Sequence, residues 1–127
     1  MSPDDRKTIN WRPAYKGAVL GFRRWKIDSY NKVLCSVISG KSWHSGTNFA
    51  DGCDSHSSPG ADCACGFNGW YDLHSAESNY SGLLGAFLGA GDVELHNQGF
   101  RSSEAQIIAL YSSGSIDSDL KEIARRY

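Results

Sequence analysis

The residues best suited to chemistry lie close together. The stretch CDSHSSPGADCACG, residues 53–66, carries three cysteines and a histidine. Zinc takes thiolate and imidazole ligands in a tetrahedron of four. Cys53 and His56 form a C-x-x-H pair. Cys63 and Cys65 are two apart, so an extended chain turns both sulfurs to one side. Gly66 follows, where a tight reversal needs little side-chain bulk. Cys53, His56, Cys63 and Cys65 therefore make one Cys3His set for a single zinc ion per chain. With all four positions filled by protein, that zinc is structural and leaves no place for a reacting water.

Other uses of these residues have different requirements. A disulfide needs an oxidising compartment. Cysteine catalysis needs a thiolate beside a base, and three clustered thiols suit that less well than metal binding. Cys35 is an alternative fourth ligand, but it shares a strand face with Val33 and Val37 and reads as a buried core thiol. No catalytic residue is assigned.

Further polar residues gather near the end of the chain. Asp92, Glu94 and His96 alternate with Gly91, Val93 and Leu95, a pattern that fits a solvated strand face better than an acid–base site. His96, Arg101 and Glu104 would meet across a turn at Asn97–Gly99 and tie that hairpin; their spacing does not separate a structural from a functional role. Trp43 reads as a core plug over the metal loop, and His44 and His74 as surface residues. Arg23, Arg24 and Lys26 interleave with Phe22 and Trp25, as single-strand nucleic-acid surfaces do. Alternation splits those cations between two faces, so only weak, salt-sensitive binding is expected. GLLGAFLGAG lacks the Lys-Ser/Thr ending of a phosphate loop.

These residues need elements to position them. Gly17–Ile27 reads as a strand, Asp28–Lys32 as a turn, and Val33–Ser39 as the hairpin partner. Residues 40–59 are polar, and a stretch of that length needs another source of order, which zinc would supply. GFNGWYDL contains a short strand and Ser75–Ser81 a helical turn. Leu83–His96 reads as a glycine-rich, bulged strand, and Ser103–Tyr111 returns beside it. Ile116, Leu120, Ile123, Ala124 and Tyr127 recur at helical spacing; Asp117 or Ser118 caps that helix, and Arg125 and Arg126 suit its C-terminal end.

The chain has 127 residues, enough for one core. Thirteen basic residues against fourteen acidic ones create no broad field for nucleic acid or anionic membrane. No apolar run approaches a membrane span, and the opening MSPDDRKTIN lacks a signal-like apolar region. A cytoplasmic protein is expected, where clustered cysteines favour metal over disulfide.

The quoted residues carry a resemblance. Phe22–Trp25, Trp43, Ala50 with Cys53, and H-S-S-P-G-A-D-C-A-C-G-F are followed by Gly91, Val93, His96, Gly99, Arg101 and Glu104. This series resembles small uncharacterised proteins of actinobacteria and their phages that carry H-x-x-P-x-x-x-C-x-C-G. It spans most of residues 17–111. Phe67-Asn68 departs from the aliphatic–aromatic pair that usually follows C-G there. The resemblance implies a shared small domain and supplies no reaction.

The expected fold is α+β: a curled antiparallel β-sheet with a zinc-pinned loop and a C-terminal helix. Residues 1–13 form a flexible tail and 14–127 a single zinc-stabilised domain. The expected function is a bacterial or phage protein-interaction module whose partner is another protein. The alternatives are a small zinc-dependent enzyme and a nucleic-acid binder.

Overall fold

The computed structural model describes residues 14–37, 39–50, 66–78, 81–111 and 118–127. The strands are β1 (Ala14–Lys16), β2 (Val19–Asp28), β3 (Val33–Ser36), β4 (Ser42–Trp43), β5 (Asn48–Phe49), β6 (Phe67–Trp70), β7 (Leu83–Leu95) and β8 (Gly99–Tyr111). The helices are α1 (Leu73–Ser78), between β6 and β7, and α2 (Ser118–Arg126). Every described strand pairing is antiparallel. This is the antiparallel sheet with a C-terminal helix expected of an α+β chain.

The sheet closes on itself. One edge of β2 pairs with β7, from Val19↔Gly89 to Trp25↔Leu83. On its other edge Phe22 pairs with Trp70 of β6. β6 pairs onward with β8, and β8 with β7, completing a ring of four strands. Closure removes free edges along these contacts. β3 and β4 extend from the far half of β2, and β1 adds to β7.

Aromatic side chains fill the ring. Trp25 meets Trp43 edge-on at 5.3 Å, Trp43 meets Phe67 at 4.7 Å, and Phe87 meets Phe100 at 5.6 Å between centroids. Such tilted and edge-on contacts add to the burial of large apolar surface. The rings fit because glycines face them. A β-carbon on Gly69 would lie 2.7 Å from Phe87 Cζ, and one on Gly21 2.7 Å from Phe100 Cζ.

Local chemistry sets the connections. In the β2–β3 turn, the Asp28 carboxylate accepts the backbone N–H groups of Tyr30 and Asn31 and the side-chain amide of Asn31. Asp72 caps α1 by accepting the Ser75 N–H at 2.7 Å and the Ser75 hydroxyl at 2.9 Å. α1 covers the outer side of the ring through Ala76, against Trp70, Leu84 and Phe22. α2 docks through Ile123, which is fully buried, and through the Tyr127 hydroxyl. That oxygen accepts the Leu34 N–H and donates to the Trp43 carbonyl, joining β3 to β4.

Four strands differ from the sequence expectation. The polar region after Gly40 contains two short strands, β4 and β5. β1 precedes the first expected strand, and β8 begins at Gly99 rather than Ser103. Two-residue strands carry too little periodicity to be seen without the strands they pair with.

Candidate functional site

Cys53, His56, Cys63 and Cys65 lie outside the described residues, but the chain on both sides of them is in view. β5 runs antiparallel to β8, with Asn48 opposite Ala105 and Phe49 opposite Glu104. The Ala50 N–H then bonds the Ser103 carbonyl at 2.8 Å. β6 resumes with Phe67 opposite Ser102 and Asn68 opposite Arg101. Thus β5 and β6 lie end to end along one edge of β8. The chain leaves that edge after Ala50 and returns at the next register position. Gly66, the residue before the return, has φ 108°, where an L side chain is disfavoured.

Two side-chain networks hold this frame. At the start of β5, the Asn48 carbonyl oxygen accepts the His44 N–H at 2.8 Å. Its amide donates to the His44 carbonyl at 2.9 Å and the Ala105 carbonyl at 3.3 Å. Asn48 is buried, and these bonds offset its loss of water. Beside β6, Arg23 points inward. Its guanidinium lies 4.9 Å from the Trp43 ring centroid and 5.6 Å from that of Trp25, and donates to the Asn68 carbonyl.

The strand carrying Arg23 is accordingly a poor phosphate track. Arg24 points to the other face, where it donates to the Gly82 and Glu77 carbonyls. Lys26 is exposed, so the three cations are not gathered on one surface.

The second polar group expected from sequence is present with a changed membership. Glu94 stands directly opposite Arg101 in the β7–β8 ladder. Arg101 Nη2 is 2.6 Å from Glu94 Oε1, and His96 Nε2 is 2.9 Å from the same oxygen. Arg101 is fully buried, and His96 is 5 % exposed. Glu94 and His96 therefore do not form the solvated strand face expected above. Nor is Glu104 the partner: it lies beyond the β7 bulge, near Gly91. The tight connection between Leu95 and Gly99 sets Glu94 opposite Arg101, whereas Glu104 lies farther along β8 and pairs with Ala90. The Tyr71 hydroxyl bonds the backbone of His96, and burial pushes its pKa up. Arg101 and His96 are out of solvent, and through Glu94 this group ties the β7–β8 hairpin.

Cys35 is a buried free thiol whose pKa burial pushes up. That is the core role read from its strand. Trp43 is likewise core, at 1 % exposure. His44 and His74 are exposed. Among the described residues, no three His, Cys, Asp or Glu side chains are grouped to hold a metal ion. Among them too, no helix is long and apolar enough to cross a membrane.

The residues that sequence reading missed are Asn48 and Glu94. Asn48 offered only a polar residue before an aromatic one. Glu94 stood in plain alternation with His96, but its burial depends on what packs over that face.

No family model, curated protein or solved structure matches the chain. Fold and site therefore define a class and no more: a closed antiparallel sheet of the α+β type, with a cysteine-rich excursion from one edge.

Proposed function

We propose that this chain is a small cytoplasmic zinc-binding protein of a bacterium or phage, acting as a protein-interaction module. Cys53, His56, Cys63 and Cys65 hold one structural zinc. One observation carries the reading: the cysteine-rich segment starts and ends at neighbouring register positions on β8, at Ala50 and Phe67. A segment so clamped has its closure entropy already met by the sheet. Four soft and borderline ligands within it suit a tetrahedral ion, which would order the polar chain between the clamps. The positive φ of Gly66, directly after Cys65, fits the reversal that a C-x-C pair needs to bring both sulfurs to one ion.

The interaction role draws support from Phe49. It is 66 % exposed on β5, two residues from the start of the excursion. An exposed aromatic on a paired strand is a natural contact for a protein partner. The bacterial or phage setting rests on the resemblance of residues 56–67 to the actinobacterial and actinophage pattern.

Elemental analysis of protein purified without added metal tests the proposal. One zinc per chain is expected. Cys63→Ser and Cys65→Ser should each lower that content sharply, and Cys35→Ser should leave it unchanged. A folded, metal-free protein indifferent to chelators would overturn the zinc reading. Affinity purification with mass spectrometry should recover a protein partner whose capture falls with Phe49→Ala.

A further inference from the structure

Contacts of three kinds join α2 to the sheet among the described residues. Ile123 is fully buried and belongs to the same core cluster as Trp25, Leu34 and Trp43. The Arg126 guanidinium donates to the Asn31 carbonyl of the β2–β3 turn at 3.0 Å. The Tyr127 hydroxyl accepts the Leu34 N–H at 3.1 Å and donates to the Trp43 carbonyl. Lys121, Glu122, Ala124, Arg125 and Arg126 are exposed, which leaves Ile123 and Tyr127 as the described apolar anchors.

The phenol enters a rung of the sheet. Leu34 stands directly opposite Trp43, and Cys35 opposite Ser42. One step further, the Ser36 N–H bonds the Lys41 carbonyl at 2.9 Å. Bonded and non-bonded pairs alternate along an antiparallel ladder. Ser36 and Lys41 form a bonded pair, so Cys35–Ser42 is non-bonded and Leu34–Trp43 is again bonded by position. The Leu34 N–H thus faces the Trp43 carbonyl, and the Tyr127 hydroxyl bonds both. When the phenol leaves, the two backbone groups satisfy one another. No buried polar group is stranded, and stranding is what makes most such losses costly.

Two further features favour release of the helix as a unit. α2 has nine residues, below the length at which a helix stands alone in water. Docking and helix formation are therefore one event. The ring, by contrast, closes through pairings of β2, β6, β7 and β8 in which α2 has no part.

We propose that α2 is a detachable cap over one end of the aromatic core. It unlatches and melts as a unit while the ring stays closed. Its departure uncovers the core at Leu34 and Trp43, which the docked helix keeps at 0 % and 1 % exposure. The rung between them takes up the phenol when the cap is shut and bonds itself when the cap is open. The element so has two satisfied arrangements, as a switch requires. No residue of the zinc set takes part, so failure of the metal reading leaves this inference standing, and the reverse.

Native-state amide exchange on the unmodified full chain, read by NMR at rising sub-denaturing urea, tests it. Protection of the Glu122–Tyr127 amides should be at least about tenfold lower than at the centre of β7 and β8. It should also depend little on urea, because the opening exposes little surface. The Leu34 amide is diagnostic: it loses the phenol but keeps the rung, so it should stay protected after the α2 amides have exchanged. Ile123→Ala should speed α2 exchange by about tenfold or more. Lys121→Ala, on the exposed side, should not. If the α2 amides share the protection and urea dependence of β7 and β8, the helix is part of the ring's own cooperative unit and the proposal is overturned. A Leu34 amide that exchanges in step with α2 would overturn it too, since the rung then does not close behind the phenol.

Discussion

The hydroxyl of Tyr127 serves two strands at once, and its loss should be measurable. Tyr127→Phe removes the partner of the Leu34 N–H and of the Trp43 carbonyl. A cost of about 1–3 kcal/mol is expected in denaturant unfolding. Burial pushes the Tyr127 pKa up. A phenol raised in the fold is neutral in both states below its unfolded value near ~10, so its contribution is complete there. It is lost as pH rises through the folded value. Stability should therefore fall on the alkaline side, and Tyr127→Phe should make that fall shallower. Burial also raises Tyr71 and Cys35, so part of the fall will remain. The buried pair offers a second test. Arg101→Met leaves the Glu94 carboxylate without its guanidinium and should cost about 3–5 kcal/mol. A cost near zero would show that solvent reaches Glu94 more readily than its 11 % side-chain exposure implies.

Strands in this chain are shaped by what faces their glycines. Gly69 in β6 sits 2.7 Å, measured from an added β-carbon, from the Phe87 ring and 3.1 Å from that of Phe100. Gly69→Ala would push two packed rings and is expected to destabilise by about 1–3 kcal/mol. Thermal melts check this; an unchanged melt would mean the rings can rotate aside. The strands themselves were largely legible in sequence. Aromatic and aliphatic runs marked β2, β3, β7 and β8, and helical spacing marked α2. β4 and β5 were not legible, because each has two residues and exists through its neighbour. The expected Glu104 contact failed because Glu104 lies farther from the turn than Arg101 and pairs with Ala90, well along β7 from His96.

At the scale of the molecule, the longest strand pairings lie between strands other than the two at the ends of the cysteine-rich segment. β2, β7 and β8 pair over long stretches that do not involve residues 51–65. β5 and β6 are the short pieces that join the excursion to this frame. On the zinc proposal, chelation should speed amide exchange first in β5, β6 and the segment between them. Protection in the centre of β7 and β8 should persist, since local opening follows local contacts. Exchange that rises uniformly would mean the metal holds the whole fold together.

Sequence by itself determined the short-range features: the β2–β3 hairpin with its Asp28 turn, the β7–β8 hairpin and the clustering of Cys53, His56, Cys63 and Cys65. Each rests on residues a few positions apart, where backbone geometry and side-chain reach leave few choices. Tertiary structure alone decided that β6 bridges β2 and β8 to close the ring, and that β5 and β6 share one edge. It also decided that Arg23 turns inward over Trp43, that His96 is buried and that Glu94 is mostly covered. These outcomes depend on which distant strands meet and on where bulges shift their register. Summed packing of the whole core sets both, and no local pattern in the chain records that sum.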